Sequence, residues 1–532
     1  MSSIRVQPGA WTSFCGVFSA AYGVMSIRTG GKLRTWHVRT WRDCVRFAFR
    51  WKALVLAAML AATFVTAARV EGQAISSISQ TRKLYVEQFS EGEEAAQLRD
   101  SLIKRIGKSG RFQVVEGQDE SDAVVKASGE IWVKSHLTIN SRAPAKNRAA
   151  VYGGFLSVEV VAKDGEPLWS YLVTPSKFSW TNIRDDLANN LVKEMLLAAA
   201  ANNAAMPGVV PARNLAKADL AGGGATFPAP LYRKWFTSFG RLHPGVHVTY
   251  AEVGTEQGIQ ALAGSKIDFA ASDLPSHDTE KSLSGTSFVR VASVLGAVVP
   301  AYNVKGVDHD LRFTPDALAG IFMGRIKKWN DPEIKSLNKD VDLPDADIVV
   351  IHRSDGSGTT YAWSEFLSMR NAAWKSALGT GMSLKWPVGK GADGNEGIAT
   401  AVQQTANSIG YVELVYGIQH HLMFGDVRNR SGEYVRADLD SLAEAARAAS
   451  GGDVSDAPPS ILNSPGKNAY PIATFTWLLF STEFADAAKK QAMIALLNWV
   501  LTTGQKECAS LGFAPLPREV VARQLEIVKR LK

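Results

Sequence analysis

The chain has 532 residues, of which 46% are hydrophobic, and carries a formal net charge of +8. A chain of this length predicts several domains. Residues 1–74 hold ten Lys or Arg residues and only two acidic ones, so this leader accounts for the whole net charge. The rest of the chain is neutral, which argues against a nucleic-acid-binding protein.

The leader has the order of a secretory signal. Its basic part covers residues 39–52, an apolar run covers 53–65, and small residues follow within 66–74. The apolar run is short for a membrane-spanning helix, which needs about 20 residues. We therefore predict export to the periplasm. An uncleaved anchor is the alternative, and Met25 is an alternative start to Met1.

Residues 75–207 predict a separate small α/β domain, which we call the accessory domain. Strands are predicted at 83–86, 111–115, 123–133, 155–161 and 168–173, and helices at 93–106 and 183–200. This order resembles the small α/β domains of envelope proteins, such as the N-terminal domain of TolB-like proteins. We interpret Trp132, Trp169 and Trp180 as core residues. Residues 208–216 predict a linker.

From Lys217 onward, the pattern changes to a longer alternation of strands and helices. A strand that begins near Leu220 enters the glycine-rich loop 222–230, a second strand precedes the turn 254–258, and a third ends at Asp273. In open α/β sheets the ligand crevice lies at the carboxyl ends of the strands. The hydroxyl groups and the acid in these loops therefore predict a polar ligand site.

A fourth strand, at 348–351, is followed by a loop of small residues and a helical pattern. The first turn of a helix has unpaired N–H groups and a partial positive charge, which favours anions. Arg353 adds a planar fork that fits a tetrahedral oxyanion, Ser357 and Thr359 add hydroxyl donors, and Asp355 is close enough to orient the guanidinium. The alternative interpretation is a capped helix with an Arg–Asp pair on the surface.

Three segments resemble the signature loops of the PstS family, the periplasmic receptors of phosphate ABC transporters. They are 224–230 (GATFPAP), 269–273 (FAASD) and 353–359 (RSDGSGT). Further segments in the family order lie at 324–334, 394–398, 409–413 and 470–474. The resemblance covers residues 217–532 and does not include residues 1–216.

This resemblance implies an α/β fold of the two-lobed periplasmic-binding-protein type (type II-like), with lobe 1 at about 217–300 and 468–532 and lobe 2 at about 301–467. It implies inorganic phosphate as the ligand, ABC permease subunits in the inner membrane as partners, a monomer, no cofactor and no metal. The phosphate ligands that it implies are Thr226, Phe227, Thr255 and Asp273 from lobe 1 and Arg353, Ser357, Gly358 and Thr359 from lobe 2.

Two roles follow from the same resemblance. Asp355 would orient Arg353, and Asp273 would accept a hydrogen bond from a phosphate proton. Sulfate carries no such proton near neutral pH, so an unpaired acceptor facing sulfate would reject it.

One loop departs from the family pattern. The Gly-Ser-Ser-Gly-Gly turn of the family is replaced by Gly254-Thr255-Glu256-Gln257-Gly258. Thr255 keeps the hydroxyl. We expect Glu256 to lie in the first turn of a helix and to face solvent, where it suits the helix dipole. If it pointed into the cleft instead, it would weaken anion binding.

Other functions remain open on the sequence alone. A hydrolase could use Ser357 as its nucleophile, but no Gly-x-Ser-x-Gly motif surrounds it and no histidine suggests itself as the base. The nine histidines form no metal pattern, and His420 and His421 are adjacent, so their side chains would point apart on a helix. Two further alternatives are a sensor or envelope scaffold and a receptor for another oxyanion, such as sulfate or molybdate. Cys508 is the one cysteine beyond the leader, so no disulfide is predicted there.

Overall fold

A computed structural model of the chain describes residues 23–29, 32–38, 77–90, 92–137, 149–175, 182–201, 215–275, 288–307, 310–449, 460–484 and 486–531. The chain divides into two compact units, residues 1–74 and 75–532. In the first unit, β1 (Gly23–Thr29) and β2 (Lys32–Val38) pair as an antiparallel hairpin. The predicted apolar run at 53–65 lies outside the described residues. Within the described ranges, no helix has the length and hydrophobicity that a membrane crossing requires.

The accessory domain contains a five-stranded sheet in the order β4-β3-β5-β6-β7. Its strands are β3 (Lys83–Val86), β4 (Gln113–Val115), β5 (Ala123–Leu137), β6 (Ala149–Ala162) and β7 (Pro167–Val173), and its helices are α1 (Glu93–Lys108) and α2 (Ile183–Ala200). Short 3-10 helices cover Ile78–Gln80 and Gln118–Glu120. Apolar residues at helical spacing bury one face of each helix in a core of its own, among them Leu98, Leu102, Leu187 and Leu191.

Strands β5 and β6 are longer than predicted. Beyond the three residues that pair with β3, β5 continues as a ribbon with β6. The ribbon carries Trp132, whose ring is half-buried and stacks on His421 of the C-terminal region at 3.9 Å. The prediction of Trp132 as a core residue of the accessory domain is therefore wrong. Trp169 is half-buried against that core, and Trp180 lies outside the described residues.

Residues 217–532, which we call the C-terminal domain, form a nine-stranded sheet in the order β14-β13-β15-β11-β19-β10-β8-β9, with β16 paired to β11, and a small sheet β12-β17-β18. The strands are β8 (Ala218–Gly224), β9 (Val246–Ala251), β10 (Phe269–Ser272), β11 (Phe288–Asn303), β12 (Arg312–Phe313), β13 (Val349–Arg353), β14 (Lys390–Ala392), β15 (Ser408–Glu413), β16 (Met423–Phe424), β17 (Asp426–Arg428), β18 (Tyr434–Val435) and β19 (Ala473–Ser481).

The helices of this domain cover the sheet and share one large hydrophobic core with it. They are α3 (Ala229–Leu242), α4 (Thr255–Ala263), α5 (Pro315–Phe322), α6 (Pro332–Leu337), α7 (Gly358–Arg370), α8 (Ala372–Ala377), α9 (Gly394–Gln404), α10 (Leu414–Gln419), α11 (Leu439–Ala449), α12 (Ala487–Leu501) and α13 (Arg518–Lys529), with 3-10 helices at Gly504–Glu507 and Ala509–Leu511.

Strand β11 connects the two halves of the large sheet. Its residues 288–297 pair with β19, and its residues 298–303 pair with β15. The chain crosses back nearby, where the Val298 N–H donates to Ile472 O at 2.9 Å and the Tyr470 hydroxyl donates to Val298 O at 2.9 Å. We use the predicted names lobe 1 (217–300 and 468–532) and lobe 2 (301–467) for the two halves.

The two adjacent histidines lie beyond a helix end, so the prediction that they sit on a helix is wrong. Helix α10 ends at Gln419, and His421 has φ +55°. The side chains do separate: His420 Nε2 lies 3.0 Å from Glu396 and His421 Nε2 lies 3.2 Å from Glu130.

Candidate functional site

The loop after β8 provides the first part of the site. Thr226 and Phe227 follow the strand and are buried, and α3 begins two residues later. Their main-chain N–H groups have no hydrogen-bond partner among the described residues. The Tyr416 hydroxyl of lobe 2 donates to Thr226 O at 2.7 Å. Two main-chain donors are therefore held at the junction of the lobes.

The start of α4 provides the second part. The buried Thr255 hydroxyl accepts a hydrogen bond from the Gly358 N–H at 3.1 Å, and the Glu256 N–H donates to Gly356 O at 3.1 Å. Both bonds join lobe 1 to lobe 2, so the cleft is closed in this structure.

The side chain of Glu256 lies against Gly356 of lobe 2. It is in the first turn of α4, as predicted, but it is half-buried and so close to Gly356 that a Cβ on that glycine would overlap with it. The prediction of a solvent-facing Glu256 is therefore wrong. Residue 356 has to be glycine for the lobes to meet here.

Arg353 lies at the end of β13 and is the formal cation of the site. Its Nε donates to Asp355 Oδ1 at 2.6 Å, its Nη2 donates to Asp355 Oδ2, and its Nη1 donates to Thr359 Oγ1 at 3.3 Å. The Arg353 side chain is 1% exposed. Burial alone would raise the pKa of Asp355, but the hydrogen bonds and charge of Arg353 outweigh burial and hold that pKa below its ordinary value. The pair is therefore ionised and the guanidinium is fixed in orientation.

The first turn of α7 faces the same point. The Ser357 hydroxyl accepts from the Thr360 N–H at 3.1 Å and so caps the helix. The Thr359 N–H has no partner among the described residues. A Cβ on Gly358 would lie 2.7 Å from Asp273 Oδ2 and 2.9 Å from Thr255 Oγ1, so residue 358 allows the two lobes to approach closely.

Asp273 follows β10 and is 3% exposed. Its Oδ1 accepts a hydrogen bond from the Thr476 hydroxyl at 2.6 Å, while Oδ2 faces Gly358. Burial raises the pKa of Asp273 to about 7, because the Thr476 hydrogen bond and the charge of Arg353 offset only part of the desolvation. Near neutral pH this carboxyl group can therefore either donate or accept a proton.

The structure thus brings the predicted site residues of the two lobes together at one closed cleft. Thr255 and Asp273 lie against Gly358, and Arg353 contacts both Asp355 and Thr359. Thr226 joins them through Asn395, and Phe227 and Ser357 are adjacent in the chain.

Sequence reasoning missed Asn395, in the first turn of α9. Its side chain is completely buried and contacts both Thr226 and Thr359. The sequence signal that could have found Asn395 is the segment 394–398. This segment matches the family order, but the resemblance gave no role in ligand binding to any of its residues.

The site suits a small oxyanion. One guanidinium, several hydroxyls and main-chain N–H groups without a partner among the described residues lie in this cleft, and their residues are buried, which strengthens each electrostatic contact. In the described part of the chain, no group of three or more His, Cys, Asp or Glu residues could hold a metal ion, and no histidine hydrogen-bonds to Ser357.

Known proteins match the same part of the chain. A PBP superfamily domain matches residues 209–503, more than half of the chain. The phosphate-binding protein PstS of Xylella fastidiosa is 38% identical over 308 residues, which cover 58% of this chain and 84% of that protein. The protein of the same name from Pasteurella multocida is 34% identical over 305 residues, which cover 57% and 88%.

A solved structure of a high-affinity periplasmic phosphate-binding protein (PfluDING) bound with phosphate is 23% identical. It aligns with a TM-score of 0.47 over 57% of this chain and 92% of that chain. The phosphate-binding protein of Stenotrophomonas maltophilia aligns with a TM-score of 0.45 at 20% identity, over 58% and 93%.

Proposed function

Because the chain belongs to the PstS family of phosphate-binding proteins, we propose that it binds inorganic phosphate between its two lobes and delivers it to an ABC-type importer. The family match also confirms the predicted α/β fold of the periplasmic-binding-protein type for the C-terminal domain.

The buried pair of Arg353 and Asp355 is the observation that carries this proposal. Two of the five guanidinium N–H groups bind Asp355 and a third binds Thr359, so two remain for an anion. The first turn of α7 adds the Thr359 N–H, and lobe 1 adds the N–H groups of Thr226 and Phe227. A dehydrated tetrahedral anion would therefore meet donors from both lobes.

Asp273 supports selectivity for a protonated anion. Phosphate near neutral pH keeps a proton that a buried carboxylate can accept, whereas sulfate has none and would leave that acceptor unpaired. Sites built around a required hydrogen bond can discriminate by a factor of about 10⁴ or more. A protonated Asp273 beside a doubly charged phosphate has the same total number of protons as an ionised Asp273 beside a singly charged phosphate. The two states differ only in which of the two groups holds the proton between them.

The protein acts as a receptor and not as a hydrolase in this proposal. Its relatives are named as binding proteins, and the Ser357 hydroxyl that a hydrolase would use is engaged as a helix cap. A phosphatase assay of the purified protein tests this point, and turnover above background that disappears in Ser357→Ala would contradict it.

We propose that the protein works in the periplasm after export through its N-terminal signal, as a monomer, and that permease subunits of the inner membrane are its partners. The names of the relatives and the signal-like leader support this. Loss of phosphate uptake at low external phosphate after deletion of the gene would test the transport role.

Calorimetry on the full chain tests ligand binding directly. We expect phosphate and arsenate, which both keep a proton near neutral pH, to bind with one-to-one stoichiometry, and sulfate not to bind. Absence of phosphate binding would overturn the proposal.

A further inference from the structure

Asn395 joins ligand residues of the two lobes. Its main-chain N–H and its Nδ2 both donate to Thr226 Oγ1, at 3.2 and 3.0 Å, and Nδ2 also lies 3.4 Å from Thr359 Oγ1. Its Oδ1 accepts from the Glu413 N–H at 2.9 Å. A main-chain N–H can only donate, so this bond fixes which end of the amide is oxygen and directs Nδ2 toward the hydroxyls.

The two hydrogen bonds from Asn395 determine whether the Thr226 hydroxyl acts as a donor or as an acceptor toward a ligand. A hydroxyl has one proton to donate and two lone pairs that accept. Both lone pairs of Thr226 receive donors from Asn395, so its proton is the one group left to bind a ligand. Thr359 is in the same position, because its Oγ1 accepts from Arg353 Nη1 and faces Asn395 Nδ2.

Building on the proposed function, we propose that Asn395 is a positioning residue that turns the site hydroxyls into donors when the lobes close. Asn395 is in lobe 2 and Thr226 is in lobe 1, so the contact exists only in the closed cleft. After closure, Asp273 is the group in the site that can accept a hydrogen bond from the anion. The site therefore recognises the anion by its proton.

The test is phosphate binding by Asn395→Asp in the full chain. The carboxylate has almost the same shape but cannot donate, so Thr226 would donate to it instead of to the anion. We expect affinity to fall by about 10- to 100-fold and the loss, relative to wild type, to shrink as pH falls and the new carboxyl becomes protonated. Asn338→Asp is the matched control, because Asn338 is a buried asparagine whose Nδ2 donates to Arg312 O and Ile334 O away from the cleft.

A double-mutant cycle separates positioning from a general loss of structure. In the Thr226→Val background only the Thr359 hydroxyl remains for Asn395 to orient, so Asn395→Asp should cost several-fold less than in wild type. Equal losses in both backgrounds, or wild-type affinity in Asn395→Asp, would overturn the inference. If wild type itself does not bind phosphate, it is the proposed function that fails.

A separate observation concerns the accessory domain, which contacts both lobes. Toward lobe 1, the Ser170 hydroxyl donates to Lys506 O at 2.5 Å and accepts from the Ser510 N–H at 3.1 Å, and the Ser157 hydroxyl donates to Ser510 O at 2.7 Å. These bonds reach the main chain of the 3-10 helices at 504–511, which lobe 1 buries.

Toward lobe 2, the hydrogen bonds and the ring contact join side chains only. The Tyr171 hydroxyl donates to Asp440 Oδ1 at 3.2 Å, and Trp132 stacks on His421, which also contacts Glu130. Lobe opening changes the position of one lobe relative to the other, so one of the two sets of contacts has to break. The lobe 2 set is the weaker, because it lacks buried main-chain bonds.

We infer from these contacts that the accessory domain stays on lobe 1 and braces the closed cleft against lobe 2. An additional few contacts in the closed state lower the rate at which the cleft opens, and phosphate bound inside would leave more slowly. This gives residues 75–207 a function in release that the C-terminal domain does not have on its own.

The test is the rate of phosphate dissociation from full-length Trp132→Ala/Tyr171→Phe, measured by rapid dilution. We expect dissociation about three- to tenfold faster than in wild type, with the association rate nearly unchanged. Tyr152→Ala, an exposed aromatic residue on the neighbouring strand, is the control and should leave the rate unchanged.

Small-angle scattering of the phosphate-free double variant should also report a more open molecule. If the substitutions instead undocked or unfolded the accessory domain, the brace would be lost and release would again be faster. An unchanged dissociation rate in the double variant, whether or not its scattering shows undocking, would overturn the inference.

Discussion

The two lobes contribute different chemistry to the one site. Lobe 2 supplies the formal cation, Arg353, and the first turn of α7, while lobe 1 supplies main-chain N–H groups, hydroxyls and the acid Asp273. Arg353 is held by Asp355 within lobe 2, so the cation is oriented before the lobes meet. The contacts of Asp273 with Gly358, by contrast, exist only in the closed cleft.

This difference separates affinity from selectivity. An oriented charge attracts any small oxyanion that reaches lobe 2, whereas lobe 1 distinguishes anions by their protons after closure. Substitutions in lobe 2 should therefore weaken the binding of all anions, and substitutions in lobe 1 should change which anion binds.

The largest effect is expected for Arg353→Lys. An ammonium group cannot bind Asp355 through two parallel hydrogen bonds and contact an anion at the same time, so phosphate affinity should fall by about 100-fold or more. Calorimetry measures the change, with Arg430→Lys at an exposed position as the control. Wild-type affinity in Arg353→Lys would contradict the role given to lobe 2.

Asp273→Asn should change selectivity more than affinity. An amide can donate to an unprotonated oxygen, so sulfate would no longer face an unpaired acceptor. We expect the ratio of phosphate to sulfate affinity to fall by about 100-fold or more. Competition of sulfate with phosphate gives this ratio, and an unchanged ratio would remove Asp273 from its assigned role.

The same acid should make stability depend on pH in the absence of ligand. The pKa of Asp273 is raised from 3.8 to about 7 in the folded protein, so its contribution to stability is complete below about pH 4 and is lost as pH rises through 7. The loss is on the order of a few kcal/mol.

Thermal unfolding in phosphate-free buffer measures this effect. In Asp273→Asn the difference in stability between pH 4 and pH 8 should be smaller than in wild type. Glu413 and Glu507 also have raised pKa values because of burial, and the charge of Asp273 adds to the shift of Glu413. The contribution of Glu507 is common to both proteins, so the difference reports Asp273 together with its effect on Glu413. Parallel profiles would show that Asp273 does not titrate in this range.

The strands and loops of the site were predictable because they depend on local sequence. A short apolar run followed by glycine, hydroxyl and acidic residues encodes a strand that ends in a ligand loop, and this holds for the segments before Thr226, Thr255, Asp273 and Arg353. The helix starts at α4 and α7 follow from the same local pattern.

The role of Asn395 was not predictable in this way. Asn395 and Thr226 are 169 residues apart in the chain and meet through the closure of the lobes, so no local pattern encodes their contact. Trp132 was misassigned for the same reason. The apolar, β-branched residues next to Trp132 in the sequence are typical of a core strand. However, the ribbon of β5 and β6 extends beyond the sheet of the accessory domain and places the Trp132 ring on His421 of the C-terminal domain.

Glu256 gives the smallest and most specific test of how the lobes meet. Its half-buried side chain lies against Gly356 of lobe 2, and we expect its negative charge to oppose the approach of an anion to that lobe. Glu256→Gln should raise phosphate affinity about two- to fivefold, chiefly through faster association, and the gain should be larger at low ionic strength because salt screens exposed charges. Stopped-flow binding at two salt concentrations measures it, with Glu120→Gln, exposed in the accessory domain, as the control. A gain that does not depend on salt would mean that Glu256 acts through its packing on Gly356 and not through its charge.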